Sequence, residues 1–411
     1  MKELESNGTE NHSDSLLMLC KKEKWNYILK SFPDNYKKWN FDECDRKGNT
    51  PLLICAEKGN LLIIQEIYSW LPTIKKQQKN NIGQSSLFLA VLGEHLELVK
   101  WLLRNGSTIH ERDIYNTSCL LIPSAKGKID LIKCILDNTT SSDYPARNEY
   151  RSLIAAATNG HLDVVKYLVS KGCSLNEKNH QFNCLAAAIE SGTIDVVKWI
   201  MDNGYTFENV TDKKNSLFNA CKKGNLKMIQ YFVKKGCSLT DTDVHNRTCM
   251  FYLLKDIDAL EWLFDNGCPI DTKDNSGYTP ILWASRRGFL PAVKWLYSKG
   301  ASLKDKTPNF DTCLLLASQY GYLDLVQWLV EQGCLLKEPN TKGTAIMNAA
   351  SNKHIDIIIW MLSNGSNIEE NYKLDSDGNI REASKSCEEI LKYRLIYDKV
   401  KSLHTTKSSR K

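Results

Sequence analysis

The sequence predicts an all-α solenoid, a single array of short helix–turn–helix units joined by projecting loops that fold like β-hairpins. Three observations predict it. One short segment recurs ten times, its starts 31 to 35 residues apart. A second, amphipathic stretch follows each copy, and glycine recurs where that stretch ends. Periods of about 20 to 50 residues mark repeat architectures, in which one unit cannot bury its apolar face alone and stacks on its neighbours.

The first helix of each unit is carried by the recurring segment. It reads TPLLICAEKGN (50–60), SSLFLAVLGEH (85–95), SCLLIPSAKGK (118–128), RSLIAAATNGH (151–161) and NCLAAAIESGT (183–193). It continues as NSLFNACKKGN (215–225), TCMFYLLKD (248–256), TPILWASRRGF (279–289), TCLLLASQYGY (312–322) and TAIMNAASNKH (344–354). Two residues past each start the side chain is always apolar, from Leu52 and Leu87 through Leu120, Leu153, Leu185, Leu217, Met250, Ile281 and Leu314 to Ile346. Small residues follow a turn later (Ala56, Ala90, Ala157, Ala188, Ala220, Ala284, Ala317 and Ala349), which lets a short helix approach its partner closely.

The second helix is read from stretches such as HLDVVKYLVSKG and TIDVVKWIMDNG. Their apolar residues fall at i, i+3 and i+4, the period of a helix with one buried face. Acid–lysine pairs three residues apart, Asp163–Lys166 and Asp195–Lys198, are placed to support the exposed face by a few tenths of a kcal/mol each. Gly172, Gly204, Gly236, Gly267, Gly300, Gly333 and Gly365 stand where a helix end calls for a left-handed residue.

Taken together, the period and the TPLL-type segments resemble the ankyrin repeat, whose period is about 33 residues and whose signature is T-P-L-H-x-A. The resemblance covers ten units, roughly residues 45–370. Some units depart from the pattern: Asn183-Cys184 replaces Thr-Pro, the seventh unit is short after Leu254, and the third has Asn138-Thr139 in place of the helix-ending glycine. Residues 1–13 read as a disordered tail and 14–44 as a degenerate capping repeat. Residues 371–402 read as a C-terminal capping segment with a closing helix at 384–402, and 403–411 as a basic tail. The Asn, Lys and Ile bias and the VVKWL-type second helices are similar to the expanded ankyrin families of amoebae and large DNA viruses.

Composition narrows the function. The chain has 411 residues, 42% hydrophobic and 25% charged, with a net charge of +6. That is well short of a dedicated nucleic-acid binder, so any basic function must sit in a local patch. No apolar run approaches the ~18 residues of a membrane span, and the polar start MKELESNGTENHSDS does not resemble a secretion signal. A reducing compartment is therefore expected for the 14 cysteines, cytoplasmic with the nucleus as the alternative.

No catalytic constellation is present: the sequence has no GxxxxGK[ST], HExxH or GxSxG motif and no CxxC pair. Neither cofactor nor metal is expected. His95, His161 and His354 share one repeat slot at the start of the second helix, where the ankyrin consensus implies turn hydrogen bonding. Cys119, Cys184, Cys249 and Cys313 share the proline slot, and Cys173, Cys237, Cys268 and Cys334 the slot after the helix-ending glycine. Free cysteine packs there as a small hydrophobe. Trp101, Tyr167, Trp199, Tyr231, Trp262, Trp295, Trp328 and Trp360 hold one position on successive second helices. Filling the grooves between those helices is favoured over an outer ligand ladder.

By resemblance to ankyrin proteins, a partner would meet the loop tips and the inner faces of the first helices. Basic residues concentrate there in units six to eight: Lys213 and Lys214 at a loop tip, Lys222 and Lys223 ending a first helix, then Arg247, Arg286 and Arg287. Tyr278, Trp283, Phe310 and Tyr320 lie among them. Arginine and aromatic residues are the usual anchors of interfaces. The resemblance implies a monomeric, non-catalytic protein-binding scaffold holding an acidic segment of its partner. The alternatives are recognition of a polyanion (RNA, DNA or phosphoinositide) by the same patch, with nucleic acid disfavoured by the modest net charge, and an adaptor to a ubiquitin ligase.

Overall fold

A computed structural model describes residues 14–70, 77–109, 112–138, 149–177, 183–207, 210–341 and 343–366. The chain divides after Thr206 into two compact units. The expected closing helix at 384–402 and both tails lie outside the described residues.

In the first unit, α1 (Leu16–Lys21) and α2 (Trp25–Asn35) precede α3 (Pro51–Lys58), α4 (Leu61–Trp70), α5 (Ser86–Leu92) and α6 (Leu96–Arg104). Then follow α7 (Leu121–Ala125), α8 (Ile129–Asp137), α9 (Tyr150–Thr158), α10 (Leu162–Ser170), α11 (Cys184–Ser191) and α12 (Ile194–Asp202). First helices pack on first helices in the order α3, α5, α7, α9, α11, and α6, α8, α10 and α12 form the layer behind them.

The second unit begins with α13 (Val210–Lys222) and α14 (Leu226–Lys234), then a 3-10 helix (Cys249–Tyr252) and α15 (Ile257–Asp265). It continues with α16 (Pro280–Arg287), α17 (Leu290–Ser298), α18 (Cys313–Tyr320), α19 (Leu323–Glu331), α20 (Ala345–Ser351) and α21 (Ile355–Ser363). Here too α16, α18 and α20 stack in one layer, with α17, α19 and α21 behind.

Burial explains the period. Each apolar residue two past a segment start, Leu52 through Ile346, is buried, and so is each of the eight alanines. Removing one such leucine or isoleucine from water contributes roughly 1.5 to 3 kcal/mol. Some of the helices start where a side chain takes an orphan amide. Ser85 accepts from Phe88 N–H, Asn183 from Ala186 N–H and Thr312 from Leu315 N–H. The seven glycines after the second helices have φ between 83° and 102°. Of the helix-surface pairs, Glu97–Lys100 closes at 2.6 Å, while the Asp163 carboxylate accepts from the Val164 N–H instead of pairing with Lys166.

Among the described residues the loops carry isolated bridges rather than strands, at Lys79–Ser85, Arg112–Ser118 and Asn340–Gly343. A side-chain oxygen shapes several of the described tips. Asp45 Oδ1 accepts from Lys47 and Asn49 N–H, Asp113 Oδ1 from Tyr115 and Thr117 N–H, and Asp274 Oδ1 from Ser276 and Tyr278 N–H. Successive tips are also joined backbone to backbone: Asn81 N–H donates to Lys47 O, Ile114 to Ile82 O, Asn275 to His245 O and Thr341 to Asn309 O.

Three units differ from the regular pattern, each for a local reason. The 3-10 helix replaces an α-helix where the seventh segment is short. In the third unit α7 has only five residues, with Pro123 at its centre. The sixth loop is the third case. Lys213 and Lys214 do not lie at a tip; both are inside α13. In register, Val210 stands where other tips have Asp, Asn or Thr, and Lys213 stands where they have a left-handed Gly, Asn or Phe. With neither the side-chain acceptor nor the left-handed residue, the backbone winds into helix.

Candidate protein-binding surface

The residues singled out in the second unit separate into two groups. Arg247 belongs to its own loop. Its Nε and Nη2 donate to Asp243 Oδ2 at 3.1 and 2.9 Å, Nη2 also meets the Tyr252 hydroxyl at 2.9 Å, and the guanidinium lies over the Tyr252 ring. Tyr252 donates to the same carboxylate. Burial works to raise the Asp243 carboxyl, but the hydrogen bonds from Tyr252 and Arg247 outweigh it and hold it below its usual range. Arg247, expected at the partner surface, is engaged within its own loop by Asp243 and Tyr252. Its Asp243, four residues earlier, is the signal in the sequence that would have placed it.

Lys213 and Lys214 are likewise engaged locally. Lys214 Nζ pairs with Asp241 at 3.0 Å. Lys213 reaches toward Gly236 at the end of α14, and its carbonyl accepts the Cys237 thiol at 3.8 Å. Lys222 and Lys223 end α13 and its capping turn, exposed as expected.

The second group is brought together. Tyr278, Trp283, Arg286 and Tyr320 converge from the eighth loop, α16 and the end of α18. The Arg286 guanidinium lies 5.4 Å from the Tyr278 ring, 5.4 Å from Trp283 and 5.5 Å from Tyr320. Its Nε donates to the Tyr320 hydroxyl at 3.1 Å. Tyr278 and Trp283 meet edge to face at 5.6 Å, and Arg287 lies over the same indole at 5.4 Å. Partial burial opposes the charge on Arg286, but the Tyr320 hydrogen bond and the two tyrosine oxygens hold its pKa above the usual arginine value. Burial also raises the Tyr278 phenol. Tyr320 stays 38% exposed, so the cluster is open to solvent.

Two neighbouring features extend this surface. Phe310, 58% exposed at the ninth tip, has φ of 62°, a left-handed conformation that is costly for an aromatic residue. The ladder between tips is interrupted beside it. Pro308 occupies the position that donates elsewhere and has no N–H, so the Ser276 carbonyl accepts no backbone hydrogen bond from the described residues. Lys255, over the Phe289 ring at 5.4 Å, falls between Lys222 and Arg286 in the repeat order; the Lys-Asp ending of the seventh segment was its signal.

Charge compensation differs between individual first-helix ends. In the first unit, basic residues after first helices face a glutamate of the preceding repeat: Lys58–Glu23 at 2.6 Å, Lys126–Glu94 at 2.9 Å and Lys128–Glu94 at 2.7 Å. In the second unit, no carboxylate of the described residues lies within 4 Å of Arg286 or Arg287.

The other repeated residues are structural. The rings of His95, His161 and His354 each bond through Nε2 to a carbonyl of the preceding unit, Glu57, Ala125 and Gln319, at 2.9 to 3.0 Å. Because a carbonyl only accepts, Nε2 carries the proton in each. Burial pushes the thiols of Cys184, Cys268 and Cys313 up to about 12 and those of Cys237 and Cys334 up to about 11. No group of three or more metal-ligating side chains occurs among the described residues. The ring of Trp101 packs edge-on against Tyr68, Trp295 against Phe264 and Trp328 against Tyr297, each ring on a neighbouring second helix.

A two-layer array of helix pairs whose regular positions pack and whose tips and helix ends vary defines a helical-repeat scaffold. The family model for ankyrin repeats matches residues 10–113, 120–212 and, in overlapping windows, 185–393. The chain belongs to the ankyrin-repeat family, whose members are in general non-catalytic scaffolds for protein–protein interaction.

Among curated proteins, it is 28% identical over 129 residues to alpha-latrocrustotoxin-Lt1a of Latrodectus tredecimguttatus, covering 31% of this chain and 9% of the toxin. It is 27% identical over 131 residues to the probable 26S proteasome regulatory subunit p28 of Saccharomyces cerevisiae, 32% of this chain and 58% of that protein. A Caenorhabditis briggsae ankyrin repeat and KH domain-containing protein is 25% identical over 132 residues, 32% of this chain and 5% of the relative. The match thus spans less than two thirds of each relative. Among the described residues no helix is long and apolar enough to cross a membrane.

Proposed function

We propose that this chain is a non-catalytic scaffold that captures a partner protein through the first-helix ends and loop tips of residues 222–320, gripping an acidic segment. One observation carries the reading. Arg286 and Arg287 stand among aromatic rings with no carboxylate of the described residues within 4 Å, whereas Lys58 and Lys126 of the first unit each pair with a glutamate. Arginine on aromatic faces is the composition of interface anchors. Lys222, Lys223 and Lys255 extend the positive field along the same repeats.

Affinity capture with mass spectrometry tests it, run beside a variant carrying Lys222→Glu, Lys223→Glu, Arg286→Glu and Arg287→Glu. The expected result is one or more proteins retained by the native chain and lost from the variant. Unchanged capture would move the partner site off this surface. Retention of labelled RNA or DNA that falls steeply with salt would favour the polyanion alternative, because neutralised phosphates release counterions.

A further inference from the structure

Resting on that reading, we propose that Arg286, framed by Tyr278, Trp283 and Tyr320 and flanked by Arg287, is the specificity pocket of the surface and takes the carboxylate of a glutamate or aspartate in an unphosphorylated acidic segment. The geometry leaves one edge of the guanidinium for that purpose. Nε is committed to the Tyr320 hydroxyl at 3.1 Å, so the Nη1–Nη2 edge is the two-donor edge left for an acceptor. That edge presents two parallel N–H donors, which match the two oxygens of a carboxylate. Tyr320, having accepted from Nε, still has its own O–H to donate.

The frame also fixes the arginine before binding. Three rings at 5.4 to 5.5 Å and one hydrogen bond remove most of the side chain's rotamer freedom. Little ordering entropy then remains to be lost when the partner arrives. The two parallel donors of that edge satisfy both oxygens of one carboxylate, whereas they would leave the third terminal oxygen of a phosphate without a donor. Charge complementarity names the occupant: two guanidiniums without a carboxylate within 4 Å among the described residues. Lysine cannot replace Arg286 here, since an ammonium offers neither the parallel donors nor a planar face to stack between rings.

The probe is a fluorescein-labelled dodecapeptide of alternating Glu and Gly, titrated by anisotropy against the full chain. A Gln/Gly peptide and a phosphoserine/Gly peptide run in parallel. Expected are saturable binding of the Glu peptide, none of the Gln peptide, and weaker binding of the phosphoserine peptide. Arg286→Lys, which keeps the charge, should weaken Glu-peptide binding about tenfold, and Tyr320→Phe, which keeps the ring, roughly threefold. Circular dichroism melts confirm that each variant is folded.

An Arg286→Lys variant that binds as the native chain does would overturn the pocket and leave general charge attraction. Tighter binding of the phosphoserine peptide would overturn the carboxylate assignment. If the native chain ignores all three peptides yet still captures a protein in the pull-down, the pocket is refuted while the scaffold reading stands. If it captures nothing, the scaffold reading itself fails.

Discussion

Gly59, which ends α3, carries two separable demands, and a set of alanine variants can take them apart. Its φ is 75°, and an added Cβ would stand 2.3 Å from Nδ1 of His95. That ring also holds the Glu57 carbonyl through Nε2 at 2.9 Å. Gly192, which ends α11 in the same compact unit, has φ of 74° and nothing within 4 Å of an added Cβ. Gly93 has an ordinary negative φ of −76°, but its Cβ would lie 2.4 Å from His95 Nε2 and 2.8 Å from the Glu57 carbonyl oxygen.

The left-handed conformation costs an alanine about 1 to 2 kcal/mol. Displacing the His95 ring forfeits a hydrogen bond worth about 1 kcal/mol and disturbs its packing. Gly192→Ala should therefore cost about 1 kcal/mol, Gly93→Ala about 1 to 2, and Gly59→Ala about 2 to 4. Urea unfolding followed by far-ultraviolet circular dichroism measures each. The decisive arm repeats Gly59→Ala in a His95→Ala background, where its cost should fall to that of Gly192→Ala. If Gly59→Ala costs no more than Gly192→Ala, or costs the same with and without the histidine, the ring is not what demands glycine there.

Three further outcomes follow from the same geometry. Arg247→Ala should destabilise by about 2 to 3 kcal/mol, because it removes the only cation paired among the described residues with Asp243, 8% exposed at its side chain, and leaves it the Tyr252 hydroxyl and two backbone amides; partner capture by the folded variant should be unchanged. Glu149 is 5% exposed and accepts from Arg112 Nη2 at 3.0 Å and from the Ser118 and Ser152 hydroxyls at 2.7 Å each. Glu149→Ala should cost about 3 kcal/mol in thermal or urea unfolding, and a loss under 1 kcal/mol would show the network to be dispensable. Stability should also fall with alkaline pH. The unfolded thiols ionise near pH 9, whereas Cys184, Cys268 and Cys313 hold their protons to about 12. The unfolded state therefore binds fewer protons between those values, and each buried thiol withdraws about 1 kcal/mol by pH 10; a flat stability profile from pH 8 to 10 would contradict this.

The helix pairs and their core were legible because packing repeats every unit: Leu52, Leu185 and Ile346 are far apart in sequence but meet the same neighbours. The histidine and cysteine slots were legible for the same reason. What could not be read was where a repeated position changes meaning. Lys213 and Lys214 looked like a loop tip by register, yet that tip lacks both the Asp acceptor and the left-handed residue that turn the chain elsewhere. Arg247 looked free by class of residue, yet its partners Asp243 and Tyr252 lie on either side of it in the chain. The frame around Arg286 was legible only as composition. Tyr278 and Tyr320 are 42 residues apart in sequence, and their convergence depends on how α16 and α18 stack.

Three local departures from the repeat lie together on the surface proposed for the partner. A packing position tolerates few side chains, so a residue that breaks the pattern without repairing the core is held there by something else. Phe310 adopts a conformation that glycine or asparagine takes at other tips and gains no burial by it. Pro308 removes the one backbone donor that would tie its tip to the eighth. Arg286 and Arg287 end a first helix where the first unit pairs its cations with glutamates. Each feature costs the fold something, in strain, in a lost hydrogen bond or in charge repulsion, and all three lie in two adjacent repeats. A fold selected for stability alone would have a glycine at 310, an N–H at 308 and a glutamate facing 287; a bound acidic segment is the single cause that would account for the arginines and for the exposed ring together.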